Sequence, residues 1–138
     1  FTSLIALSLY VPAFFGIRYL PVVAISFAVT DLFVGFHNTL FFTWGSVIAI
    51  GLISKFFADT IKLRLIGSLL GACLFFVITN FGVWSLGIYG YTLDGFLLCF
   101  TLAIPFFSYT LISTLLFAAI FEGIYRFKVI KDLKKKYI

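Results

Sequence analysis

Six residues carry most of the chemistry this chain can offer: Asp31, His37, Asn38, Asn80, Trp84 and Tyr91. Asp31 lies six residues before the single histidine, in Asp31-Leu-Phe-Val-Gly-Phe-His-Asn-Thr. A carboxylate beside apolar neighbours needs a partner or water, because at mid-membrane it costs about 2.5–3.5 kcal/mol. It serves as a ligand contact, a proton site or an interfacial cap to the turn at His37 and Asn38. One histidine cannot build a multi-histidine metal site, although it can meet a metal carried inside a bound cofactor. Otherwise His37 is a loop residue. The second group is Thr79-Asn-Phe-Gly-Val-Trp followed by Tyr89, Tyr91 and Asp94. The Asn80 amide both donates and accepts. Trp84, Tyr89 and Tyr91 read either as an aromatic belt at a membrane interface or as walls of a ligand pocket.

Catalytic motifs are missing. The sequence holds no HExxH, no GxSxG, no phosphate-binding glycine loop and no acidic diphosphate site. Five acidic residues and one histidine are a thin inventory for catalysis. The expectation is a protein that is not an enzyme, has no catalytic residues and needs no metal or other cofactor. Cys73 and Cys99 sit in apolar runs without CxxC or Cys/His spacing, so they read as small buried hydrophobes rather than zinc ligands. Glu122 and Arg126, four apart, read as a structural helix pair.

The elements that position these residues follow from charge. The chain is 63% hydrophobic and 11% charged, where a soluble domain carries about 25% charge. No charge occurs in residues 32–54, 65–93 or 95–121. Runs of that size suit a bilayer, which ~20 helical residues cross. The prediction is an all-α, polytopic transmembrane helix bundle. Its spans are Thr2–Ile17, Tyr19–Gly35, Thr39–Ser54, Leu65–Val83 and Phe106–Tyr125. Phe96–Ile104 is too short to cross and precedes Pro105, so it is expected to be a re-entrant or interfacial helix joined to the last span at a break. Residues 1–126 form one transmembrane domain, and residues 127–138 a basic cytoplasmic tail.

All ten basic residues lie at Arg18, in Lys55–Arg64, or from Arg126 onward. Basic segments stay cytoplasmic. The bends near Arg18 and Lys55–Arg64 and the tail are then cytoplasmic, while the hairpin at His37 and the connection Trp84–Asp94 are external. Parity puts Phe1 outside, and an additional upstream helix would give six spans. The tail suits anionic headgroups rather than nucleic acid. Gly67-x-x-x-Gly71, Gly45-x-x-x-Ala49 and Ala119-x-x-x-Gly123 are expected to allow close helix packing within the bundle.

The stretches Phe1-Thr-Ser-Leu-Ile-Ala-Leu-Ser, Thr30-Asp-Leu-Phe-Val-Gly-Phe-His, Thr79-Asn-Phe-Gly-Val-Trp and Tyr91-Thr-Leu-Asp-Gly-Phe-Leu-Leu-Cys-Phe-Thr-Leu-Ala-Ile-Pro-Phe-Phe resemble a family of small, uncharacterised bacterial membrane proteins. That family in turn is similar in topology to the substrate-binding S-components of energy-coupling-factor vitamin transporters. The resemblance implies a protein of the bacterial inner membrane that captures a small vitamin-like solute at its external face. It implies a separate energising module as partner, and binding segments near Phe36–Phe42 and Trp84–Asp94. The alternative is a non-catalytic helical subunit of a larger membrane complex. A proton-coupled carrier using Asp31 ranks behind both.

Overall fold

The computed structural model describes residues 3–137. They form five helices and no strand: α1 (Leu4–Phe15), α2 (Leu20–Val34), α3 (Leu40–Ile53), α4 (Ile61–Ser85) and α5 (Leu93–Tyr137). Single 3-10 turns at Ile17–Tyr19 and Ser54–Phe57 link α1 to α2 and α3 to α4. Among the described residues, four segments are long and apolar enough to cross a membrane: Ile17–Val34, Leu40–Phe57, Ile61–Ser85 and Leu93–Lys136. The chain is thus an all-helical protein of the polytopic membrane class.

Local chemistry explains where helices begin and turn. Pro21 sits in the first turn of α2, where its missing N–H has no intrahelical acceptor to lose. Thr60 caps α4 by accepting the Leu63 N–H at 3.2 Å, and Thr92 caps α5 by accepting the Gly95 N–H at 3.1 Å. Between α4 and α5 the backbone takes positive φ at Gly87 (78°) and Gly90 (80°), a region where side-chain-bearing residues are strained.

The packing is that of a membrane protein turned toward lipid. Buried positions are dominated by small groups: Ala6, Ser46, Gly71, Ala72, Thr114 and Ala118 among them. Large apolar side chains face outward, with Phe33 88% and Phe41 78% exposed. In lipid an outward Phe loses nothing, and association relies on close backbone approach and van der Waals contact. Helix α1 is the central element, contributing Ile5, Ala6, Leu9 and Tyr10 to a core shared with Ile50, Ala72 and Ala118.

Three expectations change. The predicted first span Thr2–Ile17 is a 12-residue helix, α1, with Thr2 outside the described residues. Twelve residues cover only about 18 Å, and the helix is buried at the bundle centre. The break at Pro105 does not occur. Phe96–Ile104, the basic segment after Arg126 and everything between belong to one helix of 45 residues. Pro105 removes one donor, but a helix flanked by other helices tolerates that loss, and Pro105 is exposed on its surface. Finally, only one of the three small-residue motifs packs inside the chain. A Cβ at Gly67 would meet Phe57 and Leu9, and one at Gly71 would meet Ile5 and Ile50, whereas Gly45 and Gly123 face open space.

Candidate functional site

The helix order puts the three basic segments at one end of the bundle and the His37 and Trp84 connections at the other. Contacts confirm the basic end. The Arg64 guanidinium, at the start of α4, donates to Glu122 of α5 at 2.5 and 3.0 Å and to the Ala58 carbonyl at 2.7 Å. Its charge lies over the Phe14 ring of α1 (5.0 Å) and the Tyr125 ring (5.6 Å). Phe14 and Tyr125 are themselves stacked, 4.5 Å apart and 9° from parallel. Every donor direction of that guanidinium toward Glu122 is taken, so the pair is a fastening of three helices. The sequence pairing of Glu122 with Arg126 is therefore corrected: Glu122 is buried and Arg126 exposed, and the carboxylate turns inward to α4.

The opposite end holds the six predicted residues in two groups. On the α2/α3 hairpin, Trp44 donates its indole N–H to Asp31 Oδ2 at 2.7 Å. Asp31 lies six residues before His37 and Trp44 six after Asn38, so a symmetric hairpin brings them face to face. This partner answers the desolvation problem that an isolated carboxylate would pose. Asp31 closes α2 as well, its carbonyl accepting the Gly35 N–H. His37 is exposed, with Nε2 3.5 Å from Thr43 Oγ1, and Asn38 is exposed beside it.

On α4 and the connection after it, Asn80 donates to the Phe76 carbonyl one turn back, at 2.7 Å. Its side chain lines a cavity of about 230 Å³ between α4 and α5, with Thr79, Thr110 and phenylalanines of both helices. The other five predicted residues are not in that lining. The Asn80 backbone carbonyl faces the Cys99 thiol at 3.5 Å, which supports the reading of Cys99 as a buried packing residue; Cys73 is instead exposed on the helix surface.

Trp84 is the centre of an aromatic cluster. Its ring meets Phe81 (5.6 Å), Tyr91 (6.0 Å) and Phe96 (5.5 Å), the last two edge-on. Tyr91 is exposed and donates its hydroxyl to the Ser85 carbonyl at 3.1 Å. Phe42 of α3 packs edge-on to Phe81 at 6.3 Å. A row of rings, Phe42–Phe81–Trp84–Tyr91, thus joins the two connections. Within it the Trp84 indole N–H is buried without an acceptor among the described residues. Buried donors are almost always paired, and an orphan costs ~1–3 kcal/mol.

So the structure brings Trp84 and Tyr91 together, gives Asp31 and Asn80 separate partners, and leaves His37 and Asn38 at an exposed turn. Sequence reasoning missed Trp44, and it named the segments that hold Phe42 and Phe81 without singling out either residue. Hairpin symmetry was a usable signal for Trp44. The two phenylalanines are unmarked among the 20 in the chain. No group of three or more His, Cys, Asp or Glu side chains that could hold a metal ion occurs among the described residues.

No curated protein and no solved structure matches this chain. One family model does, across residues 1–136, and by it the chain belongs to the Family of unknown function (DUF6580).

Proposed function

We propose that this chain is an integral membrane substrate-binding protein of the S-component type, which captures a small vitamin-like solute at the external face of the bacterial inner membrane. The observation that carries the reading is the Trp84 indole N–H, buried among Phe81, Tyr91 and Phe96 with no acceptor among the described residues. A solute carbonyl or ring nitrogen would complete it. The aromatic row between the α2/α3 and α4/α5 connections supplies apolar faces for a flat ring. Asp31, held by Trp44, and the Asn80 amide, which lines a separate cavity between α4 and α5, would be brought to the solute by closure of the two connections. Basic residues at the other end favour a cytoplasmic placement there, which puts the row outside. Energy for release would come from a separate module.

The test is chemical. The protein is purified in mild detergent, denatured, and the released small molecules are identified by mass spectrometry. One molecule should co-purify with the parent chain. It should be lost from Trp84→Phe and Asp31→Ala while both variants still insert and elute as folded protein. If the bound molecule survives both substitutions, solute capture at this end is wrong.

A second reading, a helical subunit packing within a larger membrane complex, has its own support. Gly45 and Gly123 present small-residue faces with open space in front of them, the feature that lets a neighbouring helix approach. Pull-down of a stoichiometric membrane partner, lost on Gly123→Leu, would favour it.

A further inference from the structure

A second cavity, walled by α1 and α5, lies at the basic end, away from the six residues above. It is a groove of about 400 Å³ between α1 and the last third of α5. We propose that this groove binds one anionic phospholipid, with an acyl chain along the groove and its phosphate at Lys128.

The order of residues along the walls points to a lipid. Both helices run toward the basic end, and the lining changes character in that direction. Leu7 and Val11 on α1 and Phe121 and Ile124 on α5 make the inner walls. Phe14 and Tyr125, stacked on each other, lie further along. Lys128 and Asp132 stand at the mouth. From Phe121 to Asp132 the helix rises about 16 Å. A groove apolar along its length, parallel to the spanning helices and charged only where the headgroup layer must lie, has the polarity of one lipid leaflet. A partner helix lying in the same groove would set apolar surface against Lys128 and Asp132.

The sign of the charge selects the lipid. Lys128 is shared with a second depression, about 450 Å³, walled by Phe127, Lys131 and Lys134. Three lysines and one aspartate therefore face the headgroup region. Arg64 lies behind the groove floor but is committed to Glu122. Among the described residues Lys128, Lys131 and Lys134 have no ion pair, and a phosphodiester complements their charge. Asp132 opposes the anion and sets a limit on affinity.

Native mass spectrometry of the purified full chain in detergent tests this, with phosphatidylglycerol titrated against phosphatidylcholine of the same acyl chains. One phosphatidylglycerol should bind in preference to phosphatidylcholine. Lys128→Ala should weaken it roughly five-fold, the effect of one basic residue near an anionic surface. Asp132→Asn should tighten it. Ile124→Trp, at a position 60% exposed and so outside the core, should fill the groove and abolish binding. Lys55→Ala, at the same end but not in the lining, should leave it unchanged. The proposal is overturned if both lipids bind alike, if Lys55→Ala matters as much as Lys128→Ala, or if Ile124→Trp leaves the bound lipid in place. It is equally overturned if Ile124→Trp dissolves a dimer rather than removing a lipid, which would assign the groove to a second copy of the chain.

Discussion

Arg64 and Glu122 stand 58 residues apart in sequence and form a bidentate ion pair with both side chains more than nine-tenths buried. It joins α4 to α5, and the Phe14 ring on Arg64 adds α1 to the same knot. Two charges of opposite sign in an apolar bundle tolerate each other only as a pair. Removing one leaves the other buried and uncompensated, at a cost of about 3–5 kcal/mol. Glu122→Ala and Arg64→Ala should each lower the melting temperature of the detergent-solubilised protein sharply. The double substitution Arg64→Met with Glu122→Leu should recover most of that loss, because the desolvation penalty disappears with the charges. Arg126→Ala, on the exposed face, should be near neutral. Equal losses from Arg126→Ala and Glu122→Ala would restore the local helix pairing.

That pair also marks how far the sequence could be read. Charge sorting located four long apolar helices and every reversal between them, because a charge in lipid is costly enough to dominate all other signals. The same sorting put Arg64 and Glu122 at one end, at the edges of uncharged runs, without pairing them. The nearer partner, Arg126, concealed their pairing: spacing along one helix is visible in sequence, and which way a helix face turns is set by its neighbours. Pro105 misled for a related reason. Its helix-breaking tendency is intrinsic, but the helix around it is held by packing. At the other end, Asp31 was legible as a carboxylate in need of a partner. Of the row Phe42–Phe81–Trp84–Tyr91 only Trp84 and Tyr91 were legible, because phenylalanines carry no periodic signal in a chain that is apolar on every face.

The glycines give a comparison of opposite sign. Gly67 and Gly123 are both helical, and Ala at either gains up to about 1 kcal/mol of helix propensity. At Gly123 nothing stands in the way, so Gly123→Ala should raise the melting temperature slightly. At Gly67 the new Cβ would lie 2.8 Å from the Phe57 side chain and 3.2 Å from Leu9. Overpacking of about 1–3 kcal/mol exceeds the propensity gain, and Gly67→Ala should melt lower than the parent. Matching shifts at the two positions would contradict the packing of α4 on the Ser54–Phe57 turn.

Orientation is a separate test. Single cysteines at Lys62, His37 and Asp94, in a background lacking Cys73 and Cys99, can be labelled with a membrane-impermeant maleimide in intact cells. His37→Cys and Asp94→Cys should react from outside, and Lys62→Cys only after the membrane is opened. Labelling of Lys62→Cys together with His37→Cys in intact cells would invalidate the antiparallel order of α3 and α4.

Trp84 separates a structural role from a binding one. Its indole N–H is buried without an acceptor among the described residues, and a buried donor left unpaired costs ~1–3 kcal/mol. Trp84→Phe removes that donor and keeps an aromatic ring against Phe81, Tyr91 and Phe96. Some ring area is lost, which works against the gain. In solute-free protein the two effects offset, and the melting temperature should change little. In solute-loaded protein the parent gains a hydrogen bond that the variant cannot make, so only the parent should be stabilised by loading. Mass action makes the difference large: at solute a hundred times its dissociation constant the parent gains about 2.7 kcal/mol. Melting the extract-loaded and the denatured, refolded, solute-free forms of both proteins reads this directly. A Trp84→Phe variant that melts well below the parent in the solute-free form would show that the N–H has a partner within the protein, and would remove the main support for a ligand at this end.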